Sequence, residues 1–254
     1  MYSASEIKDG RVSLTKWQKI IFADFDATVC NKDRPFPCIF GVNGYKKDML
    51  RFSFYEELTA EALRDDLIEF CENYKSYGKQ TSFVVFERPS PITSIEEYSK
   101  KFWRILEGLS KLDNTPWPAD IPEKLDDPAW EFCFHGVPMF IVCNTPAHVN
   151  RLSRRSPGFM LTIQPRWVFD DLLDTDSKAN SAFATVTKRL EPYDAVPKSP
   201  FLGKYGDINN REWLQYFLDD GDDKKIACPF HKMQRNNSQT CFQSDTTGVK
   251  QDEY

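Results

Sequence analysis

The chain has 254 residues, 41% of them hydrophobic, enough for one large domain with a substantial core. Its formal net charge of -5 offers no general attraction for the phosphates of nucleic acid. No apolar run approaches the roughly 18 residues of a membrane span, and the N-terminal MYSASEIKDGR lacks the apolar core of a signal peptide. A cytoplasmic protein with neither nucleic-acid nor membrane partners is expected; a homo-oligomer is compatible with everything seen.

The cysteines at 30, 38, 71, 133, 143, 228 and 241 contain no CxxC pair, which argues against a disulfide framework or structural zinc. Reduced, largely buried thiols are expected. The many Phe, Tyr and Trp residues imply an aromatic interior, either fully packed or partly lining a pocket for a flat ligand.

In chain order, Trp17–Val29 is ambiguous: Trp17, Ile21 and Phe25 recur at helical spacing, yet Ile20–Ala23 could be a buried strand. Leu50–Tyr55 alternates as a strand, Glu57–Tyr77 reads as a long amphipathic helix closed by Gly78, and Thr81–Glu87 is a core strand. A second amphipathic helix covers Ile95–Leu109, followed by a Pro- and Asp-rich surface loop. Trp130–His135, Met139–Asn144 and Phe159–Gln164 are three short strands, the first two joined as a hairpin at Gly136–Pro138. Helices are expected at Trp167–Leu173, Ser177–Leu190 and Asn210–Leu218. The predicted fold class is α+β, a single domain over residues 1–232 with a mixed or largely antiparallel sheet flanked by helices. Residues 233–254 form a polar tail expected to be disordered.

The run FADFDATV at 22–29 matches DxDxT, a phosphatase motif of the haloacid-dehalogenase type. Asp24 as nucleophile and Asp26 as acid and base could share Mg²⁺ and face a phosphate if both sat at the end of a buried strand. That chemistry also needs a later acidic pair after an apolar strand. The nearest, Asp170–Asp171, reads instead as the first turn of a helix.

Longer segments, PFPCIFG at 35–41 with LRFSF at 50–54, FHGVPMFIVCNTPAHVNRLSRR at 134–155, LGKYGDINNREWLQYFLDD at 202–220 and CPFH at 228–231, together resemble the YqcI/YcgG family. The resemblance implies a haem b (iron) oxygenase that takes O₂ and N-hydroxylates an amino or guanidino group of a small molecule such as L-arginine, in biosynthesis. A haem-binding or sensing module without turnover is the alternative within this resemblance; the Mg²⁺-dependent phosphatase using Asp24 and Asp26 is the alternative outside it. No GxGxxG fingerprint for a flavin or nicotinamide is present, so electrons are expected from an external donor.

A haem iron needs an axial His or Cys. His148 lies on a loop after a strand, where ligands concentrate, and His135 at the end of another strand; His231 stands beside the tail. The family's His-Pro pair would align near Thr145–Pro146, so the ligand stays open among His148, His135 and the thiols of Cys38 and Cys143. Arg151, Arg154 and Arg155 are candidates to anchor haem propionates or a substrate carboxylate. Glu87, Glu131 and Asp24 are possible acidic partners for a cationic substrate.

Overall fold

In a computed structural model, residues 1–170 and 175–221 are described. The chain forms one α+β domain around a six-stranded sheet. Its elements are β1 (Tyr2–Ser3), α1 (Ala4–Lys8), α2 (Lys16–Cys30), α3 (Ile39–Lys46), β2 (Leu50–Tyr55), α4 (Ala60–Tyr77), β3 (Ser82–Glu87), α5 (Ile95–Leu112), β4 (Phe132–Phe134), β5 (Val137–Asn144), β6 (Met160–Pro165), α6 (Trp167–Asp170) and α7 (Asp176–Tyr193). The expected tail at 233–254 lies outside the described residues.

The strand order is β1-β2-β3-β6-β5-β4. Only β2 and β3 pair in parallel, connected by α4, and every other neighbour is antiparallel, so the sheet is mixed as expected. Side chains alternate between its faces. One face carries Phe83, Val85, Ile141, Cys143, Leu161 and Ile163 into a core built with Leu63, Leu67 and Phe70 of α4 and Phe102, Leu106 and Leu109 of α5. The opposite face, with Val84, Phe86, Phe52 and Met160, packs on Ile21, Phe22 and Val29 of α2.

Trp17–Val29 resolves as helix, not strand. Thr15 and Gln18 form a reciprocal capping box at its start, and Ile21, Phe22, Phe25 and Val29 then give one apolar stripe for the sheet. The long helix begins at Ala60 and not at Glu57, because the Thr59 side chain caps the Ala62 N–H. The hairpin turns one residue earlier than predicted: His135 (φ 52°) and Gly136 (φ 71°) are its two central residues, with Phe134 opposite Val137. Positive φ at both positions is the type I′ geometry that matches strand twist.

The helix expected at Asn210–Leu218 is only a 3-10 turn, Glu212–Gln215. Beyond Met139 the outer edge of β5 has no strand partner, because β4 pairs only with Val137–Met139. The Tyr216 carbonyl accepts from the Cys143 N–H at 2.9 Å, so satisfying that edge draws the segment out of helical form.

Candidate active site

A cavity of about 1030 Å³ lies between the α2-bearing face of the sheet and a cover made by α2, α3, α7 and the segment from Lys198 to Leu218. Its floor is laid by alternate residues: Pro138, Phe140, Val142 and Asn144 of β5, and Met160, Thr162 and Gln164 of β6. Phe25, Phe36, Phe40, Phe169 and Phe183 make its walls largely aromatic. Its volume is at the upper end of that usual for small-molecule and cofactor sites.

Charged residues such as Lys75, Asp120, Lys198 and Lys204 also line the cavity, and two buried polar poles stand out among them. The first is Arg154, at the end of β5 where the Thr145 N–H donates to the Arg154 carbonyl at 3.0 Å. Its side chain is only 7% exposed, and its Nη1 donates to the Tyr216 carbonyl at 3.4 Å. Among the described residues no carboxylate pairs with it. Asp194, the acid that acts on it, is already engaged by the Ser153 N–H and hydroxyl at 2.6 and 2.8 Å. Burial, reinforced by the nearby Arg151, lowers the Arg154 pKa to about 10. A guanidinium held this way has donors to spare for a carboxylate.

The second pole stands near the other end of β5. Arg166 donates through Nε to Glu131 at 2.8 Å and through Nη2 to Glu212 at 2.6 and 2.8 Å, with a further Nη2 bond to Glu131. Its guanidinium lies 3.6 Å from the Tyr205 ring centroid, a cation–π contact. Two carboxylates thus share one cation. Burial and the adjoining Glu131 push Glu212 well above the usual carboxylate range. Gln164, on the same face and two residues from Arg166, is 6% exposed, and its Nε2 has no partner among the described residues.

The sequence-predicted residues separate. His148 is fully buried and is not part of the cavity wall. Its Nε2 lies 2.9 Å from the Leu218 carbonyl, which can only accept, so Nε2 carries the proton, and Nδ1 accepts from the Thr145 hydroxyl at 2.9 Å. Both nitrogens are spent on the fold, and in this arrangement neither lone pair is offered to a metal. His135 occupies the exposed hairpin turn at the far end of β5, beside Glu72 and Thr115. His231 lies outside the described residues.

Of the three arginines singled out in the sequence, Arg151 bonds the Asp219 and Pro197 carbonyls and Arg155 is exposed, so Arg154 is the one that reaches the cavity. Glu87 is held by Lys101 and the Leu58 N–H at the edge of the opposite core. Asp24 and Asp26 sit on α2, where two residues advance by about 200°, so they face apart and share no site. Asp26 is taken up by Lys8 at 2.8 Å and Tyr45 at 2.6 Å. Among the described residues no group of three or more His, Cys, Asp or Glu is arranged to hold a bare metal ion, as a Mg²⁺-dependent phosphatase would need. Glu212 and Gln164 were not singled out in the sequence; a lone acid beside Trp213 in an aromatic run is the one trace it leaves.

The cavity fits a haem in volume and in its aromatic lining. Among the described residues Cys38 is the one Cys or His on the wall; its Sγ accepts from the Gly41 N–H at 3.3 Å, at the start of α3. Burial raises the Cys38 pKa, so it is a neutral thiol unless a metal displaces the proton. Cys143 lies on the opposite face, inside the core.

No helix among the described residues is long and apolar enough to cross a membrane. Two proteins of Bacillus subtilis (strain 168) are similar to this chain over nearly their full lengths. YqcI is 41% identical over 241 residues, covering 92% of this chain and 95% of its own, and YcgG is 42% identical over 238 residues, covering 91% and 94%. DcsA of Streptomyces lavendulae, named as a provisional N(omega)-hydroxy-L-arginine synthase, is 31% identical over 229 residues, 85% of each chain. No solved structure gives a comparable match. The sequence profile of the YqcI/YcgG family matches residues 25–231, a span that runs from α2 through both poles of the cavity, and the chain belongs to that family.

Proposed function

We propose that the chain is a haem-dependent oxygenase that N-hydroxylates an amino or guanidino group of a small zwitterion such as L-arginine. The observation that carries this reading is Arg154: a buried guanidinium with no carboxylate of its own, set into an aromatic cavity large enough for cofactor and substrate. The name carried by DcsA gives the chemical class.

In this reading haem, when bound, supplies the activation of O₂ with electrons from an external donor, and Cys38 is the residue that would hold it, which leaves Arg154 for the substrate's carboxylate. The chain's own contribution is binding, orientation and dryness. Arg154 fixes a carboxylate by a bidentate fork, the phenylalanines of α2, α3 and α7 exclude water, and the Glu131–Arg166–Glu212 cluster lies near the other end of the cavity. The floor of β5 and β6 keeps the two poles at a fixed separation, because its register is set along its whole length from Met139–Pro165 to Asn144–Met160.

The test is direct. Purified protein titrated with hemin is expected to develop a Soret band that moves on reduction and on CO binding, and the loaded protein with O₂, a reductant and L-arginine is expected to form a hydroxylated product by mass spectrometry. No hemin-dependent band after reconstitution sinks the haem reading. A band without any hydroxylated product from arginine or related amines leaves a haem-binding module without turnover.

A further inference from the structure

We infer that Glu212, flanked by Gln164 and backed by the Glu131–Arg166 pair, is the seat of the substrate's cationic nitrogen group at the pole of the cavity remote from Arg154. The inference rests on the proposed function and deepens it by naming the cation subsite.

The charge count at this pole is unusual for a structural ion pair. Arg166 is bonded to carboxylates through Nε and Nη2, with its ring-stacking face on Tyr205. One guanidinium balances one carboxylate; the second is in excess. Glu131 is the inner of the two acids, fully buried and bonded through both oxygens to Arg166. Glu212 is the one on the cavity wall, and it is 5% exposed. A buried carboxylate without a counter-charge of its own must be neutralised by a proton or by an incoming cation.

The groups acting on Glu212 include Glu131, Arg166, Tyr205 and Tyr216, and Arg166 is the cation bonded to it; Lys204 lies on the same cavity wall. A structural role accounts for Glu131 and Arg166 but leaves the Gln164 amide without a partner in the same wall. A primary amide presents either N–H or carbonyl after a half-turn about its last torsion, so it can complete the recognition of an ammonium or guanidinium bound at Glu212. The two poles stand toward opposite ends of the floor: Gln164 lies opposite Phe140 and Asn144 opposite Met160, four strand positions, or roughly 14 Å of backbone.

The binding step then balances as follows: the Glu212 carboxyl releases its proton to water, and the carboxylate formed takes the N–H groups of the cation. A neutral ureido group gives no such exchange. Calorimetry of L-arginine binding to the purified full chain, repeated from pH 7 down to pH 5 in buffers of different ionisation enthalpy, is expected to show proton release that grows as the pH falls. L-Citrulline is expected to bind more weakly and to release none. Glu212→Gln, which keeps the shape and removes the charge, is expected to abolish the release and weaken arginine at least tenfold. Arginine binding to the wild type without proton release overturns the cation subsite while leaving the proposed function standing. Failure of arginine, agmatine and lysine alike to bind overturns the proposed function, and this inference with it. The wild-type proton count stands whether or not Glu212→Gln folds.

Discussion

His148 donates its Nε2–H to the Leu218 carbonyl at 2.9 Å while its Nδ1 accepts from Thr145 at 2.9 Å, so one buried ring pins the loop after β5 to the final described segment. Two residues further along that segment, the Asp220 carboxylate collects the backbone N–H groups of Val149, Asn150 and Arg151 at 3.1, 2.9 and 2.8 Å. Together they clamp the chain that carries Arg154.

Replacing His148 by Ala leaves the Leu218 carbonyl and the Thr145 hydroxyl without partners and opens a buried void, costing about 2–4 kcal/mol of unfolding free energy. Chemical denaturation measures this. A hemin Soret band, if the protein forms one, is expected at the wild-type wavelength in the variant. A shifted or lost band in a folded His148→Ala protein would restore this histidine as the ligand.

The same ring sets a pH dependence. Burial holds the His148 pKa below its ordinary 6.5, and the positive charges of Arg154 and Arg151 act in the same direction. The folded state therefore binds this proton less readily than the unfolded chain. Its stabilising contribution is complete above about pH 6.5 and is lost as pH falls through the lower folded value. Thermal melts of wild type and His148→Gln are expected to converge as the pH drops from 7 toward 5.

Much of the scaffold was legible because its signals are local. Leu50–Tyr55 alternates, and Ile95–Leu112 keeps one apolar stripe over its full length; both formed as the pattern dictates. The hairpin was legible too, displaced by one residue because His135 accepts a positive φ that the pattern alone would assign to glycine. The site was harder to read. Whether a loop histidine faces a cavity or a carbonyl depends on Leu218, 70 residues away. The pairing of Arg166 with Glu131 and Glu212 is likewise a matter of which strands become neighbours. Arg154 differs from Arg151 and Arg155 only by the direction a 3-10 turn gives it.

His135 itself offers a simple check on its role. Its φ of 52° is a conformation in which a side-chain-bearing residue is strained and glycine or asparagine is not. His135→Gly and His135→Asn are expected to hold or raise stability by up to about 1 kcal/mol, with no change in hemin binding or product formation. Loss of the Soret band in either variant would make the turn histidine an iron ligand after all.

The DxDxT match makes a fourth expectation. With Asp24 and Asp26 on opposite sides of α2, the chain is expected to show no Mg²⁺-dependent hydrolysis of p-nitrophenyl phosphate, and Asp24→Asn to leave hemin and arginine binding unchanged. Asp26→Asn breaks the bonds to Lys8 and Tyr45 and is expected to cost about 1 kcal/mol of stability, as a partly exposed ion pair and hydrogen bond do. Phosphatase activity abolished by Asp24→Asn would reverse this reading of α2.

Arg154 separates stability from function most sharply. An ionised group buried without a counter-ion carries an uncompensated desolvation cost, and its pKa lowered to about 10 is the sign of it. Arg154→Met keeps the length and apolar bulk of the stem while removing the charge. Without ligand, the variant is expected to melt at or above the wild-type temperature. A carboxylate ligand is expected to lose two charge-assisted hydrogen bonds, about 1.5–3 kcal/mol, or roughly 10- to 100-fold in affinity. Arg154→Lys retains charge but not the fork and should fall between. Thermal melts with and without L-arginine read both effects at once: the wild type gains more stability from ligand than Arg154→Met does. A variant that is destabilised when empty, yet still stabilised by ligand to the wild-type extent, would make Arg154 a structural residue and leave the cavity without its anion pole.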